Sequence, residues 1–229
     1  MILNERQSAM LEFIKTEKRA SVRALAKRFF VSEMTVRRDL SELQRQGCLT
    51  RYAGGAVYNE RTVQLPVELR RYTHMKEKKE LSARCKKYLF DGMTVYIDSS
   101  STCLFIVPLL AEYHSVTVVT NSVSCLITAS QYHIPCLMAG GSSFERDMCT
   151  VGETAISFFQ TLNPDIAFCS AQGISEELIT DSNETQVAVR RAILPRCKRK
   201  VFLFDATKQG STYLYTVCHR EEADEIFIL

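Results

Sequence analysis

Glycine and proline are scarce in this sequence, and long apolar runs are missing. Only 9 glycines and 5 prolines occur among the 229 residues, of which 46% are apolar. This composition excludes collagen-like, low-complexity and disordered chains and is typical of a folded globular protein. The longest apolar stretch, 103–111, is interrupted by Pro108 and is much shorter than the roughly 18 residues of a membrane-spanning helix. Because no signal peptide is apparent either, we expect a cytoplasmic protein with no membrane partner.

Metal-binding and nucleotide-binding motifs are also missing. The 9 cysteines include no Cys-x-x-Cys pair, so we expect neither a disulfide framework nor a metal site. Most of these thiols lie in apolar runs, where a free cysteine behaves as a small hydrophobic residue. A redox-responsive regulator therefore remains a minor alternative. The glycine motifs of dinucleotide and P-loop sites do not occur, and no cofactor is predicted.

Charge is distributed unevenly along the chain. Residues 1–60 carry 11 Lys and Arg against 7 Asp and Glu, and residues 61–88 carry 9 against 3. Residues 89–229 reverse the balance, with 9 basic and 16 acidic residues. The basic N-terminal part and the acidic C-terminal part suggest that the N-terminal part binds a polyanion.

Apolar spacing in the basic N-terminal part predicts three short helices. Asn4 is a cap for the first helix, Ser21 begins the second, and Ser32 caps a third helix that Gly47 ends. A tight turn between the second and third helices predicts a helix-turn-helix. The alternating stretch 48–57 predicts a two-stranded wing behind it.

The third predicted helix carries the candidate DNA-binding side chains. Its core stripe is Val36 and Leu40, so Arg37 and Arg38 point away from the core. Arginine forms bidentate bonds with guanine edges, and Met34 is placed to contact a thymine methyl group. We therefore predict a DNA-binding helix, with further contacts from Thr35 on the helix and from Arg51 on the wing, which faces the phosphate backbone.

A family resemblance appears at these residues. The stretch Val31–Leu40 resembles the DNA-binding signature of the DeoR family of bacterial transcriptional regulators. The matching residues further along are Leu43, Gly47, Leu49, Arg51 and Gly54-Gly55-Ala56. The resemblance implies operator binding through Ser32, Thr35, Arg37 and Arg38. Ala53 departs from the pattern, since the family usually has His before the double glycine.

The rest of the chain predicts an α/β domain with a mostly parallel sheet. Short β-branched runs alternate with helical stretches, at 94–97, 116–119, 136–139, 166–169, 201–204 and 225–228. We predict a winged helix-turn-helix domain at 1–57, a linker at 58–75 and an α/β domain at 76–229. The first helix of that domain is predicted from the stripe of Leu81 and Cys85, and its lysine run, Lys78 included, is interpreted as a solvated face.

Polar and glycine residues follow five of the predicted strands. Their clusters are Asp98–Thr102, Thr120–Ser122, Gly140-Gly141, 170–173 and 205–208. Because parallel strands end at the same sheet edge, the clusters converge on one crevice, the usual ligand position. The turn Ser99–Thr102 is predicted to open onto a helix near Cys103, as in anion sites, and Lys208 offers a positive charge. The predicted ligand is a small phosphorylated metabolite.

The same clusters resemble the DeoR-family effector domain, which shares the fold of ribose-5-phosphate isomerase and usually binds phosphorylated sugars. By this resemblance the candidate effector-binding residues are Asp98, Ser100, Ser101, Thr102, Thr120, Asn121, Ser122, Gly140, Gly141, Gly173, Arg190 and Lys208. Ser100, Gln172 and Arg190 depart from the common pattern. These departures leave open whether the pocket takes a different ligand or binds more weakly.

Together these observations predict a repressor of carbohydrate-metabolism genes that a phosphorylated sugar releases from operator DNA. A dimer or tetramer is expected, because one winged helix covers only one half-site. The alternative is a sugar-phosphate isomerase or deaminase with an appended DNA-binding domain, using Asp98, Glu153 or Asp205. No His follows a predicted strand, which disfavours catalysis. Coupling between the domains is predicted to reside in the basic segment 57–88.

Overall fold

The chain forms two compact units. A computed structural model describes residues 4–45, 48–58 and 66–229, and backbone contacts divide the chain into Met1–Thr73 and His74–Leu229. The predicted helix end at Gly47 and part of the predicted linker, 59–65, lie outside the described residues. The predicted domain bounds are not tested further and stay a prediction.

The first unit is a three-helix winged module with a small sheet. Its elements are α1 Glu5–Glu17, β1 Arg19–Ser21, α2 Val22–Phe29, α3 Glu33–Arg45, β2 Leu49–Tyr52, β3 Gly55–Tyr58 and α4 Val67–Arg70. The three predicted caps are present: Asn4 Oδ1, Ser21 Oγ and Ser32 Oγ each accept a backbone N–H of the helix that follows. The local polar pattern therefore set where each helix begins.

Two strands of the first unit form the predicted wing, and a third joins them. The sheet is antiparallel in the order β1-β3-β2. The double glycine is explained by this arrangement, since Gly54 has a φ of +92° and a Cβ on Gly55 would lie 2.4 Å from the carbonyl oxygen of Ala20. The core beneath consists of buried apolar residues of α1, α2 and α3, among them Ile14, Leu25 and Leu40.

The second unit is an α/β domain. Its helices are α5 Met75–Arg84, α6 Val107–Leu110, α7 Val123–Gln131, α8 Glu153–Gln160 and α9 Glu184–Ile193. Its strands are β4 Thr94–Ile97, β5 Thr117–Thr120, β6 Cys136–Met138, β7 Ser142–Phe144, β8 Cys149–Val151, β9 Ile166–Cys169, β10 Gly173–Ile174, β11 Leu178–Asp181, β12 Arg199–Phe204, β13 Tyr215–His219 and β14 Glu225–Ile228.

The six strands predicted from the sequence form one parallel sheet, which confirms the α/β fold class. Their order is β14-β12-β9-β4-β5-β6, and every neighbouring pair is parallel. From β4 the chain proceeds outward through β5 and β6, then returns to the other side of β4 with β9. The strand order therefore reverses between β4 and β9, and ligands of open α/β sheets bind at such a point.

Two smaller antiparallel sheets were not predicted. The strands β7 and β8 form a hairpin, and β10, β11 and β13 form a three-stranded sheet. The helix predicted near Cys103 is also different, because it is a 3₁₀ turn over Cys103–Ile106 followed by the four residues of α6. A segment this short does not supply the long helix dipole expected for the anion site.

Candidate functional site

The exposed face of α3 carries the predicted DNA-binding residues. Arg37 and Arg38 are exposed while Val36 and Leu40 are fully buried, as the stripe predicted. Arg37 Nη2 lies 3.4 Å from Glu33 Oε2, a pair that is open to solvent on both sides. Exposed ion pairs of this kind are weak, so a DNA phosphate or a base edge can replace Glu33 as the partner of the Arg37 guanidinium.

Ser32 and Thr35 have a local structural role at the start of α3. Ser32 Oγ accepts the backbone N–H of Thr35 at 3.1 Å and lies 3.0 Å from Thr35 Oγ1. The wing is tied to the same helix, since Arg51 Nη1 donates to Ser41 Oγ. The structure thus brings all five predicted DNA-binding residues to α3 and the adjacent strand β2.

An ion pair between Arg6 and the buried Asp39 fixes α3 against α1. Asp39 is buried and its carboxylate accepts Arg6 Nε at 2.8 Å and Gln7 Nε2 at 3.0 Å. The hydrogen bond with Asp39 raises the pKa of Arg6. Asp39 is one of the two acidic residues of the stretch Val31–Leu40, and its buried carboxylate orients the helix rather than contacting DNA.

At the edge of the parallel sheet, Asp98 joins the loops after β4 and β9. Its Oδ1 accepts the N–H of Ser100 at 3.0 Å and its Oδ2 accepts the N–H of Ser170 at 2.9 Å. Arg190 Nε also lies 3.3 Å from Oδ2. With three partners and almost no exposed surface, the Asp98 side chain is committed to holding the two loops together.

Arg190 is the centre of this buried network. It is only 4% exposed, and its guanidinium contacts three acceptors: Asp98, Asp181 Oδ2 at 3.0 Å and Gln186 Oε1 at 3.3 Å. Burial lowers the pKa of Arg190, but the Asp181 and Asp98 carboxylates outweigh it and raise that pKa above its usual value. Gln186 extends the network to the buried carboxylate of Asp147. The predicted effector residues Asp98 and Arg190 therefore form a structural clamp in this structure.

Lys78 corrects the interpretation of the lysine run as a solvated face. It is only 3% exposed, and its Nζ donates to Ser101 Oγ at 3.1 Å. The signal was present in the sequence, because Lys78 precedes Leu81 by three positions and Cys85 by seven, on the apolar stripe of α5. A buried ammonium group thus meets the serine turn that follows β4.

Polar atoms without a partner occur on or after three neighbouring strands of the sheet. Among the described residues of the second unit, three buried side-chain atoms have no hydrogen-bond partner: Tyr96 Oη, Asn121 Oδ1 and Gln172 Nε2. They lie on β4, directly after β5 and just after β9, which are neighbours in the sheet. Asn121 uses its other amide atom, Nδ2, to bond the carbonyl of Thr150 at 2.8 Å. Buried polar groups normally have partners, so these atoms are candidates for ligand contacts at the switch point, where the strand order reverses between β4 and β9.

The other predicted effector residues lie at the strand ends with local roles. Ser100 Oγ accepts the N–H of Cys103, Ser122 Oγ caps α7, and Thr120 Oγ1 donates to the carbonyl of Ile97. Thr102 is buried beside them, and Lys208 is half-buried after β12.

At two of the three predicted effector-site glycines, a neighbouring backbone leaves no room for a side chain. A Cβ on Gly141 would lie 2.5 Å from the carbonyl oxygen of Val151, and one on Gly173 would lie 2.3 Å from that of Ser211. Gly140 has only Thr154 nearby. Close approach of a neighbouring backbone, without any ligand, therefore requires glycine at 141 and 173.

The cysteines are core residues, as predicted. All are free, and eight of the nine are buried. Burial raises the pKa of the Cys85 and Cys48 thiols to about 12. Thiols with such pKa values are poorly reactive at neutral pH, which disfavours the redox alternative. No group of residues suited to a metal ion occurs in the described ranges.

Comparisons with known proteins assign both units. A family model described as the DeoR-like helix-turn-helix domain matches residues 6–62, and one described as the DeoR C terminal sensor domain matches 73–228. An uncharacterized HTH-type transcriptional regulator of Escherichia coli, YgbI, is 31% identical over 99% of this chain and 89% of its own. The E. coli glycerol-3-phosphate regulon repressor is 25% identical over 97% and 89%, and the L-fucose operon activator is 28% identical over 96% and 93%.

Solved structures similar to this chain include ribose 5-phosphate isomerase A from Methanocaldococcus jannaschii. The identity is 18% and the TM-score 0.44, with 60% of this chain and 55% of that one covered. The relatives described by the comparisons are named as transcriptional regulators, in agreement with the prediction that the chain is not an enzyme. No helix in the described ranges is long and apolar enough to cross a membrane.

Proposed function

Because this chain belongs to the DeoR family of transcriptional regulators, we propose that it represses carbohydrate-metabolism genes in the bacterial cytoplasm and that a phosphorylated sugar releases it. The first unit binds operator DNA through Ser32, Thr35, Arg37, Arg38 and Arg51. Relatives of both regulatory signs exist, since one is named a repressor of a glycerol-3-phosphate regulon and another an activator of an L-fucose operon. A homodimer or tetramer provides the paired half-site contacts that operators require.

The observation that carries the effector proposal is the cluster of unpartnered polar atoms at the switch point. Asn121 Oδ1 is an acceptor and Gln172 Nε2 a donor, and both are buried in the loops after β5 and β9, the two strands that flank β4. A sugar offers hydroxyl groups that donate to the first and accept from the second. Satisfying buried polar groups in this way gives both affinity and selectivity for a polyhydroxylated ligand.

The phosphate end of the ligand lies, in this proposal, at Lys78 and the turn 99–102. The Lys78 ammonium and the hydroxyl groups of Ser101 and Thr102 are hydrogen-bond donors that suit phosphate oxygens. Arg190 does not bind the phosphate, because its guanidinium already contacts two carboxylates and an amide. Lys208 was predicted to supply a positive charge to the phosphate, and in this proposal Lys78 supplies a second one.

The test compares Lys78→Met with Lys79→Met in the full-length protein. Lys79 is the adjacent lysine on α5 and is exposed, so the second variant removes the same charge from the same helix. The probe DNA is the duplex upstream of the protein's own gene, titrated at two salt concentrations. The effector probes are glucose 6-phosphate, fructose 6-phosphate, fructose 1-phosphate, ribose 5-phosphate and glycerol 3-phosphate.

We expect a specific, salt-sensitive complex that one of these compounds dissolves. We expect Lys78→Met to bind the same DNA. Its release from the DNA should require a concentration of the compound at least about tenfold higher, which corresponds to the loss of one charged hydrogen bond. Lys79→Met responds as the wild type does. Equal responses of both variants contradict the phosphate assignment, and absence of release by any phosphorylated sugar contradicts the effector class.

A further inference from the structure

Phe30 adopts an unfavourable backbone conformation and leaves its side chain in solvent. It ends α2 with φ 52° and ψ 42°, in the left-handed region. Its side chain is 95% exposed, whereas Phe13 and Phe29 of the same unit pack edge to face at 6.5 Å between ring centroids. No ring or cation–π contact joins Phe30 to another described residue.

The fold does not require a phenyl ring at this position. The Phe30 N–H caps α2 by donating to the carbonyl of Ala26, and the N–H of Val31 donates to the same oxygen. Glycine makes these backbone bonds equally well and adopts the left-handed region without steric cost. A bulky residue kept in a strained conformation without burial points to a role outside folding.

Met34 extends the apolar surface into the first turn of α3. It is 77% exposed and follows Phe30 by four positions. Exposed basic residues lie near these two positions in the sequence, with Lys27 and Arg28 on α2 and Arg38 on α3. Exposed apolar side chains on a basic helix-turn-helix suit the DNA major groove, where thymine methyl groups lie between two rows of phosphates.

We infer that Phe30 and Met34 form one apolar contact that recognises thymine methyl groups in the operator. The inference rests on the proposed DNA binding and adds Phe30, in the turn of the helix-turn-helix, to the residues that determine sequence specificity. Burial of one methyl group corresponds to about fourfold in affinity. The operator is therefore expected to contain thymine at the positions facing these two side chains.

The test is a double-mutant cycle between the protein and the DNA bases. The probe is the duplex that the full-length wild-type protein enriches from a randomised pool, with each thymidine replaced in turn by deoxyuridine, which lacks only the methyl group. We expect wild-type affinity to fall about fourfold at one or two positions. Phe30→Asn or Met34→Ala lowers affinity for the unmodified duplex by a similar factor and is then insensitive to deoxyuridine at its own position.

Lys18→Gly is the matched control, since Lys18 is another exposed residue with a left-handed backbone, φ 64°, at the end of α1. Phe30→Asn and Lys18→Gly are both expected to raise the melting temperature or leave it unchanged, and Lys18→Gly keeps every deoxyuridine effect. Equal deoxyuridine effects in wild type and both apolar variants overturn the inference. A change of oligomeric state in Phe30→Asn also overturns it and assigns the surface to a second copy. Failure to enrich any duplex overturns the proposed DNA binding itself.

Discussion

Replacing Arg190 distinguishes a structural clamp from a ligand-binding residue. Arg190→Met removes the guanidinium that bonds Asp98 at 3.3 Å and Asp181 at 3.0 Å, and it leaves both carboxylates buried. Removing one partner of a buried ion pair costs about 3–5 kcal/mol, because the remaining charge is uncompensated. Domains are stable by only about 5–15 kcal/mol in total, so a large part of the second unit's stability depends on this side chain.

The assay is urea denaturation of the full-length protein followed by circular dichroism. Arg191→Met is the control, because Arg191 is the neighbouring residue on α9 and is exposed. We expect less than about 0.5 kcal/mol of change for this surface substitution. The double variant Asp181→Asn with Arg190→Met recovers part of the loss, since it removes one of the stranded charges. If Arg190→Met loses less than about 1 kcal/mol yet binds the effector poorly, the clamp reasoning is refuted and Arg190 is a ligand-binding residue.

Two further predictions concern Gln172 and Asp165. Gln172→Leu removes a buried donor that has no partner, so the melting temperature should not fall. The binding free energy of the effector, measured by calorimetry, should weaken by about 1–3 kcal/mol. Lower stability with unchanged effector affinity would show instead that the amide stabilises the folded protein. Asp165 accepts Lys198 Nζ and the N–H of Thr94, which lower the pKa of Asp165. Its stabilisation is therefore present above the unfolded pKa of about 3.9 and lost as pH falls through the lower folded value. Asp165→Asn should lower stability at pH 7 by less than about 1 kcal/mol and have no effect at the acid end of a pH series of unfolding curves.

The sequence was sufficient for the elements that depend on local patterns. Six β-branched runs became six parallel strands, and the three N-terminal caps are hydrogen-bonded as predicted. Short strands such as β10, with two residues, were missed because their pairing with distant segments rather than their own composition makes them strands. The two small antiparallel sheets therefore required the three-dimensional structure.

The structure places the predicted polar clusters at the ends of the parallel strands, but several of their residues have contacts that the sequence did not predict. Parallel strands end on one edge, which is why the polar clusters were expected to meet. Long-range contacts then decided which groups are committed to each other: Asp98 and Arg190 are 92 positions apart, and Lys78 and Ser101 are 23 apart. Charge patterns along the sequence describe a lysine run well on average, but they do not reveal the one lysine that turns inward.

The position of Lys78 in the chain suggests an experiment on how effector binding is coupled to DNA binding in the proposed function. The boundary between the units falls between Thr73 and His74, and α5 begins at Met75. In the proposed function, a phosphate held by Lys78 contacts the helix that directly follows the boundary, within the segment 57–88 predicted to couple the domains. His74 has a left-handed backbone with φ 50°, and His74→Gly widens the range of backbone conformations open to this residue at the start of α5.

His74→Gly should reduce the factor by which effector weakens DNA binding, which is commonly about 5- to 150-fold in allosteric proteins. The DNA affinity of the effector-free protein and the effector affinity of the DNA-free protein should stay at wild-type values. Ser115→Gly relieves a left-handed residue, φ 56°, far along the chain from the boundary and serves as the control. Titrations of each ligand with and without the other must give the same coupling factor, since linkage is reciprocal. An undiminished factor in His74→Gly would place the coupling element elsewhere than the start of α5.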